Sequence, residues 1–133
     1  MVELKKYKEE FFNALNSYNL DKNQWNFTAS LDFCLNERKV LEDLHKTLVT
    51  ILFNSYPVGF FVLDKGKDKY KLIENSEAIL LCSLSINPEY QGKGIGKQSM
   101  RLVKEFIKKN IPQINEIVLS VNLKKIKMHI IFI

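Results

Sequence analysis

The sequence predicts one α/β domain (α+β in layout), a mixed, mainly antiparallel central sheet flanked by helices. Three observations predict it. The 133 residues are 46% hydrophobic and 26% charged, a globular composition in a length that fits a single domain over 1–133. Two β-branched and aromatic runs, 48–53 and 58–63, are joined by Asn54-Ser55-Tyr56-Pro57, the pattern of an antiparallel hairpin. A third apolar run, 78–86, leads through a glycine-rich segment and a helical period to another strand at 116–122, which makes a strand, crossover helix and parallel strand.

In chain order, residues 2–7 alternate apolar and polar positions as a half-buried strand does. Residues 9–19 come next, with Phe11, Phe12, Leu15 and Tyr18 at helical spacing. Ser30 is an N-cap for a second helix with Leu31, Leu35, Leu41 and Leu44 inward. After the hairpin, 64–69 is a polar turn, and 70–76 either extends the next strand or stays a loop. The run 78–86 is apolar almost throughout, as a central strand covered on both faces must be. A helix over 95–109 buries Leu102, Val103, Phe106 and Ile107 and ends before Pro112.

A chain of this size buries about two thirds of its unfolded surface, enough for a core without disulfide or metal staples. Cys34 and Cys82 both sit in apolar runs and read as reduced core thiols of a cytoplasmic protein. The start MVELKKYKEE lacks a signal-peptide pattern, and no run reaches the roughly 18 apolar residues of a membrane span, so no membrane association is expected. The net charge of +5 is uneven: nine Lys/Arg against Glu105 and Glu116 give +7 for 91–133 and leave −2 for 1–90. The excess suits an anionic ligand in the C-terminal third. Lys104, Lys108 and Lys109 read as a solvated helix face, since no aromatic interleaving supports nucleic acid as a partner. His45 and His129 have no ligand-spaced neighbours, and no metal site is expected.

The segment Gln91-Gly92-Lys93-Gly94-Ile95-Gly96-Lys97 carries the chemistry. Its glycines stand between a buried strand and a helix start, where unpaired N–H groups and the positive end of the helix dipole face a bound anion. A P-loop fails, because Gln98 follows Gly96-Lys97 and Gly92 stands too close to Gly96. A dinucleotide fingerprint fails as well, because Gly94 and Gly96 are only two apart.

The spacing Gln91-x-x-Gly94-x-Gly96, after Ile86-Asn87-Pro88-Glu89-Tyr90, resembles the pyrophosphate signature of the GNAT superfamily of N-acetyltransferases. The order of elements resembles it over nearly the full chain. The resemblance implies acetyl-CoA as co-substrate, its pyrophosphate held by the amides of Gln91, Gly92, Lys93, Gly94, Ile95, Gly96 and Lys97. It implies that the pantetheine arm pairs with Leu84, Ser85 and Ile86, whose amides polarise the thioester, and that Asn122 touches the cofactor. The reaction is then direct attack by a neutral amine of a small molecule or peptide, with a base to take its proton. Glu74, Glu77 and Glu89 are the nearest acids in sequence, and a water relay is equally open. The resemblance also makes Trp25 and Phe27, in the loop between the first helices, candidate acceptor contacts.

The pattern breaks after Asn122. In the family register Lys125 replaces an asparagine, Met128 an alanine, and Phe132 the tyrosine that often protonates the departing thiolate. Phenylalanine has no proton to give. The resemblance is to a C-terminally truncated member whose last C-terminal strands are missing, so the strand over 116–122 is expected at the sheet edge, covered in a homodimer. The rival reading is a non-catalytic acyl-CoA-binding protein that keeps the loop and has lost the acceptor half.

Overall fold

The structure, a computed structural model, describes residues 1–21, 29–71, 73–120 and 127–131, with Ser120 and 127–131 described by backbone alone. Strands β1 (Val2–Lys6), β2 (Lys46–Phe53), β3 (Tyr56–Asp64), β4 (Ala78–Ile86), β5 (Glu116–Ser120) and β6 (Lys127–Ile131) lie side by side in that order. Neighbours are antiparallel except β4 and β5, which pair in parallel from Ala78↔Glu116 to Leu81↔Leu119. Helix α1 (Phe12–Leu15) comes after β1, and α2 (Ile95–Asn110) is the crossover between β4 and β5.

The hairpin forms as its sequence predicts, with the turn tightened to Asn54 and Ser55 at φ 49° and 69°. Two successive positive φ values match the twist of the flanking strands, and a polar Asn-Ser pair tolerates them. On one face of the sheet, α2 lays Ile95, Val103, Phe106 and Ile107 against Val49, Ile51, Phe61, Leu63, Ile79, Leu81 and Ile117. On the other face Leu15, Leu31, Cys34 and Val40 cover Leu48, Phe60 and Val62. Leu102 packs at the margin of the α2 face.

Three expectations are corrected. Residues 9–19 are not one helix: a 3₁₀ turn (Glu9–Phe11) leads into a four-residue α1. The Asn16–Ser17 pair ends it, with Ser17 Oγ donating back to the Ala14 carbonyl at 2.7 Å. Ser30 does cap, accepting from Phe33 N–H at 3.0 Å, but the chain then forms a π-helical turn (Phe33–Glu37) and a 3₁₀ turn (Val40–Glu42) in place of a regular helix. Between them Lys39, at φ 49°, resets the helical phase and turns Leu41 and Leu44 outward, 58% and 93% exposed. Of the two readings of 70–76 the loop holds, since 73–75 have no regular structure between a 3₁₀ turn (Lys67–Lys71) and β4. Finally, β5 is not the sheet edge: Lys127–Ile131 pairs with it as β6, from Ser120↔Lys127 to Glu116↔Ile131. With 127–131 in a strand, the family register that placed Met128 and Phe132 no longer applies, and a β5 edge no longer argues for a homodimer.

No helix among the described residues is long and apolar enough to cross a membrane.

Candidate functional site

The site begins with a break in β4. Phe60 pairs with Ser85 and Val62 with Cys82, so Ser83 and Leu84 together oppose Phe61. Ser83 takes φ 58° to accommodate this bulge. The inside-outside alternation flips across it: Ile79 and Leu81 face the α2 side before the bulge, and Leu84 and Ile86 face it after. The last parallel pair, Leu81↔Leu119, lies just before the bulge. Beyond it β4 continues to Ile86, and among the described residues no β5 residue is paired with 82–86.

At the end of β4 the chain is pinned before the glycines begin. Asn87 N–H donates to the Val58 carbonyl at 2.7 Å, and Asn87 Oδ1 accepts from Glu89 N–H at 3.0 Å, capping the 3₁₀ turn Pro88–Tyr90. Tyr90 then stacks on Tyr56 and meets Phe53 edge-on, at 6.4 and 6.1 Å between centroids, which fastens the turn to the hairpin. Gln91 reaches back with Nε2 to the Ile86 carbonyl at 2.8 Å.

Gly92 and Gly94 stand at φ 77° and 79°, and a Cβ on either would meet nothing within 4 Å. The glycines are therefore required by backbone conformation, and the space beside them stays open for a ligand. Gly94 caps α2 without a side-chain hydrogen bond, so the first-turn amides of Ile95, Gly96 and Lys97 have no acceptor within the helix. Gly96 brings the helix against Ile86, whose Cδ1 would lie 3.3 Å from an added Cβ. An exposed Lys97 and Lys93, whose Nζ lies 5.5 Å from the Tyr90 ring centroid, add positive charge. A bulged strand leading to a helix N-terminus with open amides fits a ligand with an anionic group, as a coenzyme A thioester has.

The opposite face of β4 is polar at the bulge. Ser85 Oγ and Tyr18 Oη lie 2.8 Å apart, and Arg38 Nη1 donates to Ser83 Oγ at 3.0 Å. Burial pushes the Tyr18 phenol up to about 12, against the opposing pull of the Ser85 hydrogen bond. Burial also raises the Cys34 thiol, and it pushes Cys82 up to about 11, so both cysteines are neutral thiols. A cleft of about 400 Å³ opens beside Ser85, lined by Ser17, Tyr18, Asn19, Tyr56, Glu89 and Tyr90 among others.

This cleft separates the three acids. Glu89 lines it, whereas Glu77 precedes the first residue of β4, roughly 25 Å away along the strand. Glu74, exposed like Glu77, lies further back along the chain. Leu84, Ser85 and Ile86 and the loop 91–97 are brought together at one end of β4. Trp25, Phe27, Lys125, Phe132 and Asn122 lie outside the described residues. Sequence reasoning passed over Arg38 and the Tyr18 hydroxyl. One signal was there to read: the chain has 18 lysines and only two arginines, Arg38 and Arg101.

The mixed sheet, the β4 bulge and the glycine-capped α2 place an anion-binding loop at the end of the central strand. The family model of the acetyltransferase (GNAT) family matches residues 5–129. A Bacillus subtilis (strain 168) protein described as an uncharacterized N-acetyltransferase, YbbJ, is 34% identical over 122 residues, 91% of this chain and 75% of that one. Among solved structures, aminoglycoside acetyltransferase AAC(6')-Ib in complex with coenzyme A superposes with a TM-score of 0.70 at 18% identity, over 92% of this chain and 78% of that one. AAC(6')-Iy in complex with a bisubstrate analogue gives 0.64 at 13% identity, over 93% and 82%. The chain belongs to the GNAT family and is an N-acetyltransferase by that membership.

Proposed function

We propose that this protein transfers an acetyl group from acetyl-CoA to a primary amine by direct attack, with donor and acceptor held in one ternary complex. The observation that carries this reading is the glycine loop directly after β4, where Gly92 and Gly94 take positive φ with open space beside them and Gly94 caps α2. When bound, acetyl-CoA supplies a thioester carbonyl as the electrophile. The amides of 92–97 hold its pyrophosphate, since the Gln91 N–H is donated to the Pro88 carbonyl at 3.2 Å, and the main chain of Leu84, Ser85 and Ile86 aligns its arm and donates to the carbonyl oxygen. Asn122 is assigned to the cofactor, and Trp25 and Phe27 to the acceptor, on family resemblance.

Glu89 is the proposed proton acceptor for the incoming ammonium, directly or through water, because it is the one of the three sequence candidates that lines the cleft beside Ser85. Holding both reactants at one end of β4 supplies much of the rate through proximity. Two free thiols support a cytoplasmic location.

The test is isothermal titration with acetyl-CoA, followed by release of free coenzyme A in the presence of amines. Micromolar binding that is lost in Gly94→Glu, where a carboxylate would oppose the pyrophosphate, is the expected result. A folded protein that takes up no acetyl-CoA overturns the reading. Binding without coenzyme A release would instead establish an acyl-CoA binder without turnover.

A further inference from the structure

Building on the acetyltransferase reading, we infer that the acceptor is an amine that also carries a carboxylate or phosphate group, and that Arg38 binds this anion. Arg38 is half-buried at the β4 bulge, and its side-chain contacts among the described residues are neutral: Nη1 donates to Ser83 Oγ at 3.0 Å, and its guanidinium carbon lies 5.1 Å from the Phe33 ring centroid. No carboxylate among the described residues comes within 4.0 Å of it. Glu37, its neighbour in sequence, is exposed, and Asp64 Oδ1 accepts from Gly66 N–H at 2.8 Å. The Cys34 and Cys82 thiols, whose titration responds to Arg38, are held protonated by burial and cannot serve as counter-ions.

A guanidinium carries five N–H donors in a fixed fork, of which Ser83 uses one. The stack on Phe33 and the bond to Ser83 restrain the side chain, so most of the ordering cost of a bidentate contact is already met. An acid oxygen pair is the ligand that matches such a fork, and partial burial protects the pair from screening. Position sets the substrate class. Ser83 immediately precedes Leu84, so an anion on Arg38 lies next to the strand segment proposed to align the thioester. The acceptor amine is then tethered a few bonds from its own acid group, and a purely cationic polyamine is repelled by the same charge.

The experiment compares kcat/KM for acetylation of three matched pairs: lysine and cadaverine, phenylalanine and phenethylamine, phosphoethanolamine and ethanolamine. Wild type, Arg38→Gln and Arg38→Lys are assayed, with acetyl-CoA affinity and melting temperature measured on each. The acid-bearing member is expected to be preferred by about tenfold or more, mainly through KM. The preference should vanish in Arg38→Gln and fall in Arg38→Lys, while acetyl-CoA affinity stays the same. The carboxylate pairs and the phosphate pair separately show which anion is used. Equal use of both members, a preference that survives in Arg38→Gln, or no acetylation of any of the six by protein that binds acetyl-CoA overturns the proposal and leaves the cofactor reading standing. Failure to bind acetyl-CoA at all removes both.

Discussion

Tyr18 and Ser85, 67 residues apart, share a hydrogen bond of 2.8 Å that ties the segment after α1 to the far end of β4. It joins an acceptor-side loop to the strand proposed to align the donor. Removing the phenol in Tyr18→Phe leaves the buried Ser85 hydroxyl without that partner and is expected to cost about 1–2 kcal/mol. The sign of the pH effect comes from the phenol being raised to about 12 from 10.0. The folded state holds its proton more tightly than the unfolded chain, so this contribution is complete below pH 10 and lost as pH rises through 12. Urea titrations between pH 9 and pH 12 should show an alkaline loss in wild type that is smaller in Tyr18→Phe; parallel curves would refute the assignment.

Gly59 lies across from Ile86, and a Cβ there would press on the Ser85 carbonyl oxygen and come within 3.2 Å of Ile86 Cα. Both obstacles are backbone, so the strands themselves must separate. Gly59→Ala should destabilise the protein by roughly 1–3 kcal/mol and speed amide exchange at the end of β4. Wild-type stability in this variant would show that β3 and β4 tolerate separation.

Gly94→Ala tests conformation without a clash, since nothing lies within 4 Å of the added methyl. At φ 79° the cost is that of the left-handed region, about 1–2 kcal/mol. Acetyl-CoA affinity should fall as well, because the methyl projects into the open space assigned to the pyrophosphate. A melt and a titration on the same sample separate the two effects, and an unchanged affinity would move the pyrophosphate elsewhere.

Lys69 is 3% exposed, and its Nζ donates to the carbonyls of Lys65, Ser76 and Ala78 at 3.2, 2.7 and 2.9 Å. Burial lowers its affinity for the proton, the Asp64 charge raises it, and burial is the larger effect. Lys69→Met strands those carbonyls and should cost about 2–3 kcal/mol, against almost nothing for exposed Lys67→Met. Equal melting temperatures for the two variants would dismiss Lys69 as a staple.

Because burial raises both thiols, Cys34 and Cys82 should react slowly with a disulfide reagent at pH 8 and rapidly once urea unfolds the chain. Labelling of native protein at the unfolded rate would contradict the packing of Cys34 at 0% exposure.

The hairpin, β4, α2 and β5 were legible because each rests on a period that repeats within its own segment, and the glycine loop because Gly92 and Gly94 must take positive φ. The short turns at Glu9–Phe11 and Phe33–Glu37 were not, since the Ser17 Oγ bond to the Ala14 carbonyl and the positive φ of Lys39 are single local events that a hydrophobic period does not register. β6 was missed because an apolar run of a few residues reads equally as helix or strand until β5 offers it a register.

The sequence by itself determined the composition of the sheet, the anion-binding loop and the family resemblance, all properties of residues close together in the chain. Only the tertiary structure decided where β4 bulges, which acid reaches the cleft, and that Arg38 meets Ser83 across 45 residues with no counter-ion among the described residues. Those outcomes depend on which strands pair and in what register. Pairing is fixed by packing energies summed over the whole sheet, and no local pattern in residues 82–86 records them.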